Sequence, residues 1–211
     1  MKPPIKNYIQ KYYPQGNITQ FFAENIELYK IISGLTKGHN GIDIVAPYGT
    51  PILATTTQTI VEVKNSPRGY GKHIKAVDDN YEYIYGHLSS INVEIGNVVS
   101  QGTEIGKCGN TGFVISGATP YWKYNPYAGT HLHFGIREFQ SRKGTQPYNI
   151  QYANGIQGTI LNYDNGFLGS INPAPFIEWD NTQEIKNLQL TIISLANQVI
   201  ALLKGILRVG K

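Results

Sequence analysis

A chain of 211 residues, 41% hydrophobic and only 15% charged, has a globular composition and room for one well-cored domain plus an appendage. The net charge of +4 suits a polyanionic partner such as a bacterial cell wall. The Lys and Arg residues are scattered, however, with no basic run and no nucleic-acid-binding module, so nucleic acid is not expected as a partner. The lone Cys108 excludes an intrachain disulfide, and the absence of any 18-residue apolar run excludes a transmembrane helix.

The N-terminal zone, residues 1–17, is polar and proline-bearing and reads as a loose leader without the apolar core of a signal peptide. From residue 18 to 178 the chain carries short apolar runs punctuated by glycine: Pro51–Ala54, Thr59–Lys64, Lys72–Val77, Tyr81–Tyr85, Val93–Val99, Glu104–Lys107 and Thr130–Ile136. They are rich in Val, Ile, Thr and Tyr, which predicts a mainly β protein built as an antiparallel sheet or sandwich. Asp78-Asp79-Asn80 between two runs predicts a tight hairpin. The 15 tyrosines offer stacking faces with polar tips, suited to wet ligands or to half-buried β positions.

The third zone, residues 180–211, changes period. Ile185, Leu188, Ile192, Leu195, Val199, Leu202, Ile206 and Val209 alternate spacings of three and four. β-Branched residues at the first position of each pair, with mostly Leu at the second, predict an amphipathic C-terminal helix that joins a parallel dimeric coiled coil. A trimer, or a helix packed on its own domain, fits the same pattern. Asp180 or Asn181 would cap the helix, with Glu184 in its first turn. A homo-oligomer through residues 181–209 is the partner expectation that follows.

Four of the five histidines fall in settings that suggest chemistry. In Gly38-His39-Asn40-Gly41-Ile42-Asp43, the Asn-Gly pair predicts a turn entering a strand, which can bring an imidazole and a carboxylate to one point. In Thr130-His131-Leu132-His133-Phe134, strand alternation points both histidines one way and Leu132 and Phe134 the other. One imidazole can then bind metal while its neighbour reaches a water or substrate oxygen. His87 ends the run Tyr83-Ile84-Tyr85-Gly86-His87, where a lone histidine is ordinarily structural. His73 has no acidic neighbour in sequence and reads as a strand residue without a catalytic role.

Taken in order, the blocks Gly38–Pro51, Tyr70–Lys72, Tyr85–Ser89, Gly102–Gly112 and Thr130–Phe134 closely resemble the lysostaphin/LytM-type zinc endopeptidases of family M23. The resemblance covers about residues 18–136, and Ile171-Asn172-Pro173 resembles the family's closing segment. It implies a peptidase domain over residues 18–178 and one zinc ion per chain, held by His39, Asp43 and His133. It implies His87 and His131 as the two catalytic histidines that do not bind metal. The substrate it implies is the peptide portion of peptidoglycan, cut at a stem or cross-bridge bond, which places the protein outside the cell, at a cell wall or on a virion. The alternative is a non-catalytic or latent wall-binding or assembly component on the same fold.

Two stretches depart from the family pattern, at about residues 113–129 and 138–170. The first carries Tyr121, Trp122, Tyr124 and Tyr127, which are expected to line a substrate cleft; the second carries Tyr148, Tyr152, Tyr163 and Phe167. Both abut the His131–His133 strand, so they either wall the cleft or pack on each other.

Overall fold

Short apolar and β-branched runs build the sheet, and its central strands, Tyr81–Ile91 and His131–Gln140, are buried along most of both faces. The computed structural model describes residues 1–5, 18–33, 35–116, 119–120, 125–141, 148–179 and 189–200. The chain divides into two units, Met1–Glu178 and Trp179–Lys211. The first unit opens with β1 (Ile18–Gln20), α1 (Ile26–Ile32), β2 (Ile42–Val45) and β3 (Pro51–Leu53). Long strands β4 (Gln58–Ser66), β5 (Gly71–Val77) and β6 (Tyr81–Ile91) follow, then short β7 (Val98–Val99) and β8 (Glu104–Cys108). Two-residue strands β9 (Ile115–Ser116) and β10 (Thr119–Pro120) precede β11 (His131–Gln140), and β12 (Asn149–Gln151), β13 (Gln157–Ile160) and β14 (Ser170–Ile171) complete the unit.

All the described pairings are antiparallel, and the main path runs β1-β2-β11-β6-β5-β4-β7, as the mainly β reading anticipates. Register assigns the faces. Phe134 lies opposite Ile42 and Tyr85, Leu132 opposite Ile44, and Ile136 opposite Tyr83. These side chains are buried and form one apolar face, with the Tyr85 and Phe134 rings 5.3 Å apart. Burying each such side chain contributes roughly 1.5–3 kcal/mol. The opposite face of the same strands carries Asp43, His133 and, farther along, the cross-strand pair Glu82 and Arg137.

Asp78 N–H donates to the Tyr81 carbonyl, and the Asp78 carboxylate accepts from the Asn80 and Tyr81 amides, which closes the expected β5–β6 hairpin. The run Val93–Val99 is a strand only at Val98–Val99. Gly96, at φ +93°, and the reciprocal bonds between Glu94 and Asn97 turn the chain before it can extend. Residues 1–5 are joined to the sheet: the Lys2 amide donates to Thr55, the Leu53 amide donates to Pro4, and Ile5 is buried opposite Ile52. Residues 6–17 lie outside the described residues.

The stretch at 138–170 folds onto the far end of β11. Its hairpin β12–β13 continues the sheet through Phe139 and Gln140, and Tyr152 and Ile160 join Val61, Val77 and Phe139 in a second small core. Tyr148 and Tyr163 stack on one another at 3.5 Å. These tyrosines therefore spend their faces on packing. In the second unit, residues 189–200 form α2, and Ile192, Leu195 and Val199 are all more than half exposed. The remaining heptad residues Ile185, Leu188, Leu202, Ile206 and Val209 lie outside the described residues, as do Asp180, Asn181 and Glu184. Among the described residues no helix is long and apolar enough to cross a membrane.

The buried Glu82 carboxylate accepts from both Arg137 Nε (2.9 Å) and Arg137 Nη2, and also from the Tyr152 hydroxyl. This cluster ties the 138–170 stretch to β6 and β11. Glu82→Ala would leave the Arg137 charge buried and unpaired, which costs about 3–5 kcal/mol. Tyr152→Phe should cost about 1.5–3 kcal/mol, the contribution of a hydrogen bond to a charged group. Urea unfolding checks both, and a Glu82→Ala loss below about 1 kcal/mol would contradict this role.

Candidate metal centre

β2 and β11 pair so that Asp43 lies directly opposite His133. His39 enters from the turn before β2. Its backbone is tied to the segment before α1 by bonds from the His39 amide to Glu24 and from the Ala23 amide to His39, both at 2.8 Å. The three side chains converge with His39 Nε2 to His133 Nδ1 at 2.9 Å, His39 Nε2 to Asp43 Oδ1 at 3.2 Å and His133 Nδ1 to Asp43 Oδ1 at 3.1 Å. A tetrahedral zinc with ligand bonds of about 2.0–2.2 Å separates its donors by roughly 3.3–3.6 Å. The observed triangle is only slightly tighter, all three residues are buried, and nitrogen and carboxylate donors are ones zinc accepts, so the residues fit a metal ion.

Backbone carbonyls fix which imidazole nitrogen faces the site, because a carbonyl can only accept. The Nδ1–H groups of His39, His87 and His131 donate to Phe21 (3.1 Å), Thr111 (2.8 Å) and Gly129 (2.7 Å) respectively. Each ring then turns a lone pair on Nε2 inward. His133 is the exception and offers Nδ1; its Nε2 is buried without a hydrogen-bond partner among the described residues. His131 Nε2 stands 3.6 Å from Asp43 Oδ2, and the His87 and His131 rings are 4.6 Å apart. His39, Asp43, His87, His131 and His133 therefore meet in one place.

His87 reaches that place through a break in its strand. Strict alternation after Tyr83 and Tyr85 would turn His87 into the apolar core. Instead His87 takes φ +61°, and between the pairs Tyr85–Ile74 and Leu88–Lys72 two residues of β6, Gly86 and His87, oppose the single residue His73 of β5. This bulge reverses the alternation, so Leu88 enters the core and His87 faces the histidines. Left-handed backbone at a non-glycine residue costs of order 1–3 kcal/mol, offset in part by the 2.7 Å bond from the His87 amide to the Tyr70 carbonyl.

Burial moves the site's acid–base groups apart. Burial raises Asp43, but the neighbouring His131 and His39 and the hydrogen bonds to His133 and His39 outweigh it and hold the carboxyl well below its ordinary range. Burial, helped by His131 and His133, pushes His87 well below the usual imidazole value, and burial first of all lowers His133 to about 4. Near neutral pH, His87 and His133 are therefore uncharged and Asp43 is ionised.

The cleft has two arms that share Tyr29, Phe113 and His87. One, about 330 Å³, reaches Leu35, Tyr70 and Leu168; the other, about 460 Å³, runs past Thr19, Asn25, Thr130 and His131. Tyr70, its hydroxyl accepting from Asn40 Nδ2, lays its ring 4.9 Å from His133. Tyr29 and Leu168 give no sequence signal, the one sitting in a short apolar helix and the other in an irregular loop. Of the four aromatic residues expected in the cleft, Tyr121, Trp122 and Tyr124 lie outside the described residues. Tyr127 is exposed and packs edge-on against Tyr48, and Gly129, Thr130 and His131 line the cleft in its place. His73, expected to lack an acidic partner, bonds Glu62 on the adjacent strand at 3.0 Å; that hydrogen bond, with Lys75 nearby, lowers the Glu62 carboxyl to about 2 against the effect of burial.

The model of the family described as "Peptidase family M23" matches residues 37–149, just over half of the chain. Lysostaphin from Staphylococcus simulans is 36% identical over 145 residues, which cover 67% of this chain and 25% of that protein. Peptidoglycan DD-endopeptidase ShyA from Vibrio cholerae is 34% identical over 98 residues, 46% of this chain and 20% of that protein. The chain thus spans about a quarter or less of the length of these relatives. Among solved structures, LytU aligns over 81% of this chain and 90% of its own, with TM-score 0.50 and 24% identity, a likeness of fold.

Gly41 makes room for the His133 ring: a Cβ there would lie 2.7 Å from His133 Cε1 and 2.6 Å from the Phe134 carbonyl oxygen. Gly41→Ala should therefore displace the ring and weaken zinc binding by about 10–100-fold, the usual effect of disturbing a ligand's support. Competition titration against a chelator measures this; an unchanged zinc affinity would refute the packing argument.

Proposed function

We propose, on the premise that the chain belongs to peptidase family M23, that it is a zinc-dependent endopeptidase hydrolysing peptide bonds of bacterial peptidoglycan, in a stem or a cross-bridge. The observation that carries this reading is the convergence of three buried donors with two more histidines whose Nε2 atoms face the same space. His39, Asp43 and His133 would hold one zinc ion, with Nε2, Oδ1 and Nδ1 as the converging donor atoms. Bound there, zinc supplies Lewis acidity that polarises a peptide carbonyl and brings the pKa of water toward about 7.

The chain's own residues manage the protons. His87 and His131 act at Nε2: one takes a proton of the attacking water, and the Nε2–H so formed donates to the developing oxyanion and then delivers that proton to the leaving amine, while the Nε2 lone pair of the other accepts a hydrogen bond from the attacking water. Their fixed Nδ1–H bonds keep both rings oriented, so little reorganisation accompanies transfer. Burial keeps His87 uncharged near pH 7, so its Nε2 lone pair is exposed to the cleft as an acceptor. The substrate class is supported by the relatives, one of which is named as a peptidoglycan DD-endopeptidase. Such a substrate puts the protein's work outside the cytoplasm, at a cell wall or on a virion.

We also propose that copies of the chain associate through residues 181–209. The apolar heptad residues Ile192, Leu195 and Val199 are each more than half exposed on α2, and a second copy would bury them.

Two measurements test these readings. Wild-type protein should bind one zinc per chain and release new amino termini from purified peptidoglycan. His133→Ala should lose the metal, and His131→Ala should keep it while turnover falls by about 100-fold or more. Stoichiometric zinc without release from any wall type would assign the protein to binding and not to hydrolysis. For association, light scattering of Leu195→Asp should give a smaller mass than wild type; equal masses would remove residues 181–209 as the contact.

A further inference from the structure

The smaller arm of the cleft has an apolar wall that the hydrolytic chemistry does not use. Beside His133 and His87 it is lined by Leu35, Tyr29, Tyr70, Phe113 and Leu168, with Ser33, Asn40 and Arg68 as its polar members, and its volume is about 330 Å³. That is the lower end of the range for specific ligand pockets. A substrate backbone bearing only hydrogen atoms would leave it unfilled. The other arm mixes the polar Thr19, Gln20, Asn25, Asp43 and Thr130 with Leu28, Val45 and Val114 and is the more polar of the two. The two sides of the reacting centre therefore differ in chemistry.

Leu168 is the unusual member. It is a large apolar residue that is 41% exposed and holds φ +56°, a left-handed conformation that bulky side chains seldom adopt. Its loop is built to keep it there. Asn165 Oδ1 accepts from the Phe167 amide at 2.8 Å and the Gly169 amide at 3.1 Å, while Asn165 Nδ2 donates to the Ser170 carbonyl at 2.9 Å. Phe167 packs on Phe22 at 4.4 Å, and the Thr36 amide donates to Gly166 at 3.2 Å, beside Leu35. Arg137, already fixed by Glu82, donates to the Leu168 carbonyl. Backbone strain sustained by this many contacts, with an apolar side chain left facing a cleft, is the pattern of a binding residue.

We propose that Leu168, with Leu35 and Phe113, forms a specificity pocket that receives an apolar substrate side chain of alanine size or larger next to the scissile bond. This inference rests on the peptidase reading and names the substrate class for that same site. It makes the chain a selector against all-glycine peptides. One methylene more or less in such a pocket changes discrimination by about 10–200-fold, so a single methyl group is enough to produce a measurable preference.

The test uses the full chain and two synthetic peptides, pentaglycine and the same peptide with alanine at its centre. Wild type should show a kcat/KM ratio of about 10 or more in favour of the alanine peptide. Leu168→Gly and Leu168→Asn both tolerate the left-handed backbone, so they remove the apolar wall without straining the fold. Each should bring the ratio toward unity, and Leu168→Met should preserve it. A parallel titration of the protein, followed by methyl NMR, reads binding apart from catalysis. The alanine peptide should shift the Leu35 and Leu168 methyl signals, and pentaglycine should leave them unmoved. Methyl shifts without cleavage of either peptide would support the pocket and count against the peptidase reading. Cleavage with no preference, or a preference that Leu168→Gly leaves intact, would overturn the pocket, as would an alanine peptide that moves neither leucine.

Discussion

The pairing of β2, β11 and β6 in one register is the constraint on which the site depends. With Asp43 opposite His133 and Gly86 on the other flank of His133, two of the three converging donors become cross-strand neighbours, and the apolar side chains between them are sent to the opposite face. A slip of one residue would exchange the faces and put Ile42 or Ile44 where Asp43 now stands. The core therefore enforces the site. Phe134, Ile42, Ile44 and Tyr85 are buried only in the register that brings His133 and Asp43 together, so the apolar energy of the sheet holds polar groups where they would not gather unaided.

Within that register the site needs local departures from regular strand geometry. Gly41 and Gly86 leave space against the His133 ring that a side chain would fill. The bulge at His87 is a larger departure, since it inserts one residue into β6 and turns a histidine out of the core. Thr111 then couples the two halves of the arrangement. Its carbonyl orients His87, and its hydroxyl both accepts from the Lys72 amide and donates to the Leu88 carbonyl, which fixes the strand across the bulge. A single residue of the Gly102–Gly112 block thus supports a histidine more than twenty positions away in the chain.

These departures also explain what could and could not be read in advance. The common facing of His131 and His133 follows from a period of two and is visible in five residues. The facing of His87 is not, because alternation alone sends it into the core, and only the ordered resemblance of the blocks marks it as functional. His73 looked isolated because its acidic partner Glu62 lies on the neighbouring strand, at a distance that only strand pairing closes. The tyrosines of the 138–170 stretch were ambiguous for a similar reason. Composition records that a residue has a stacking face, and tertiary structure decides whether Tyr148 spends that face on Tyr163 or on a ligand. Leu168 carried no signal at all, since its significance lies in a backbone angle and in what surrounds it.

The division of labour between sheet and loops has a consequence for how such a site can change. The groups assigned to chemistry sit on β2, β6 and β11 or in the turn leading into β2, where each is fixed by cross-strand pairing or a backbone carbonyl. The walls of the cleft come from elsewhere: Tyr29 from α1, Phe113 from the loop after β8, Leu168 from the loop before β14. Those segments are attached by side-chain caps such as Asn165 and by single backbone bonds such as Thr36 to Gly166. A substitution in them alters the shape of the cleft without disturbing the register that brings Asp43 and His133 together. Rigid strands carrying the reacting groups and separately anchored loops carrying selectivity allow each to vary alone. The buried Glu82–Arg137 pair is where the two meet, because Arg137 is at once a residue of the site-bearing strand and the donor that holds the Leu168 carbonyl.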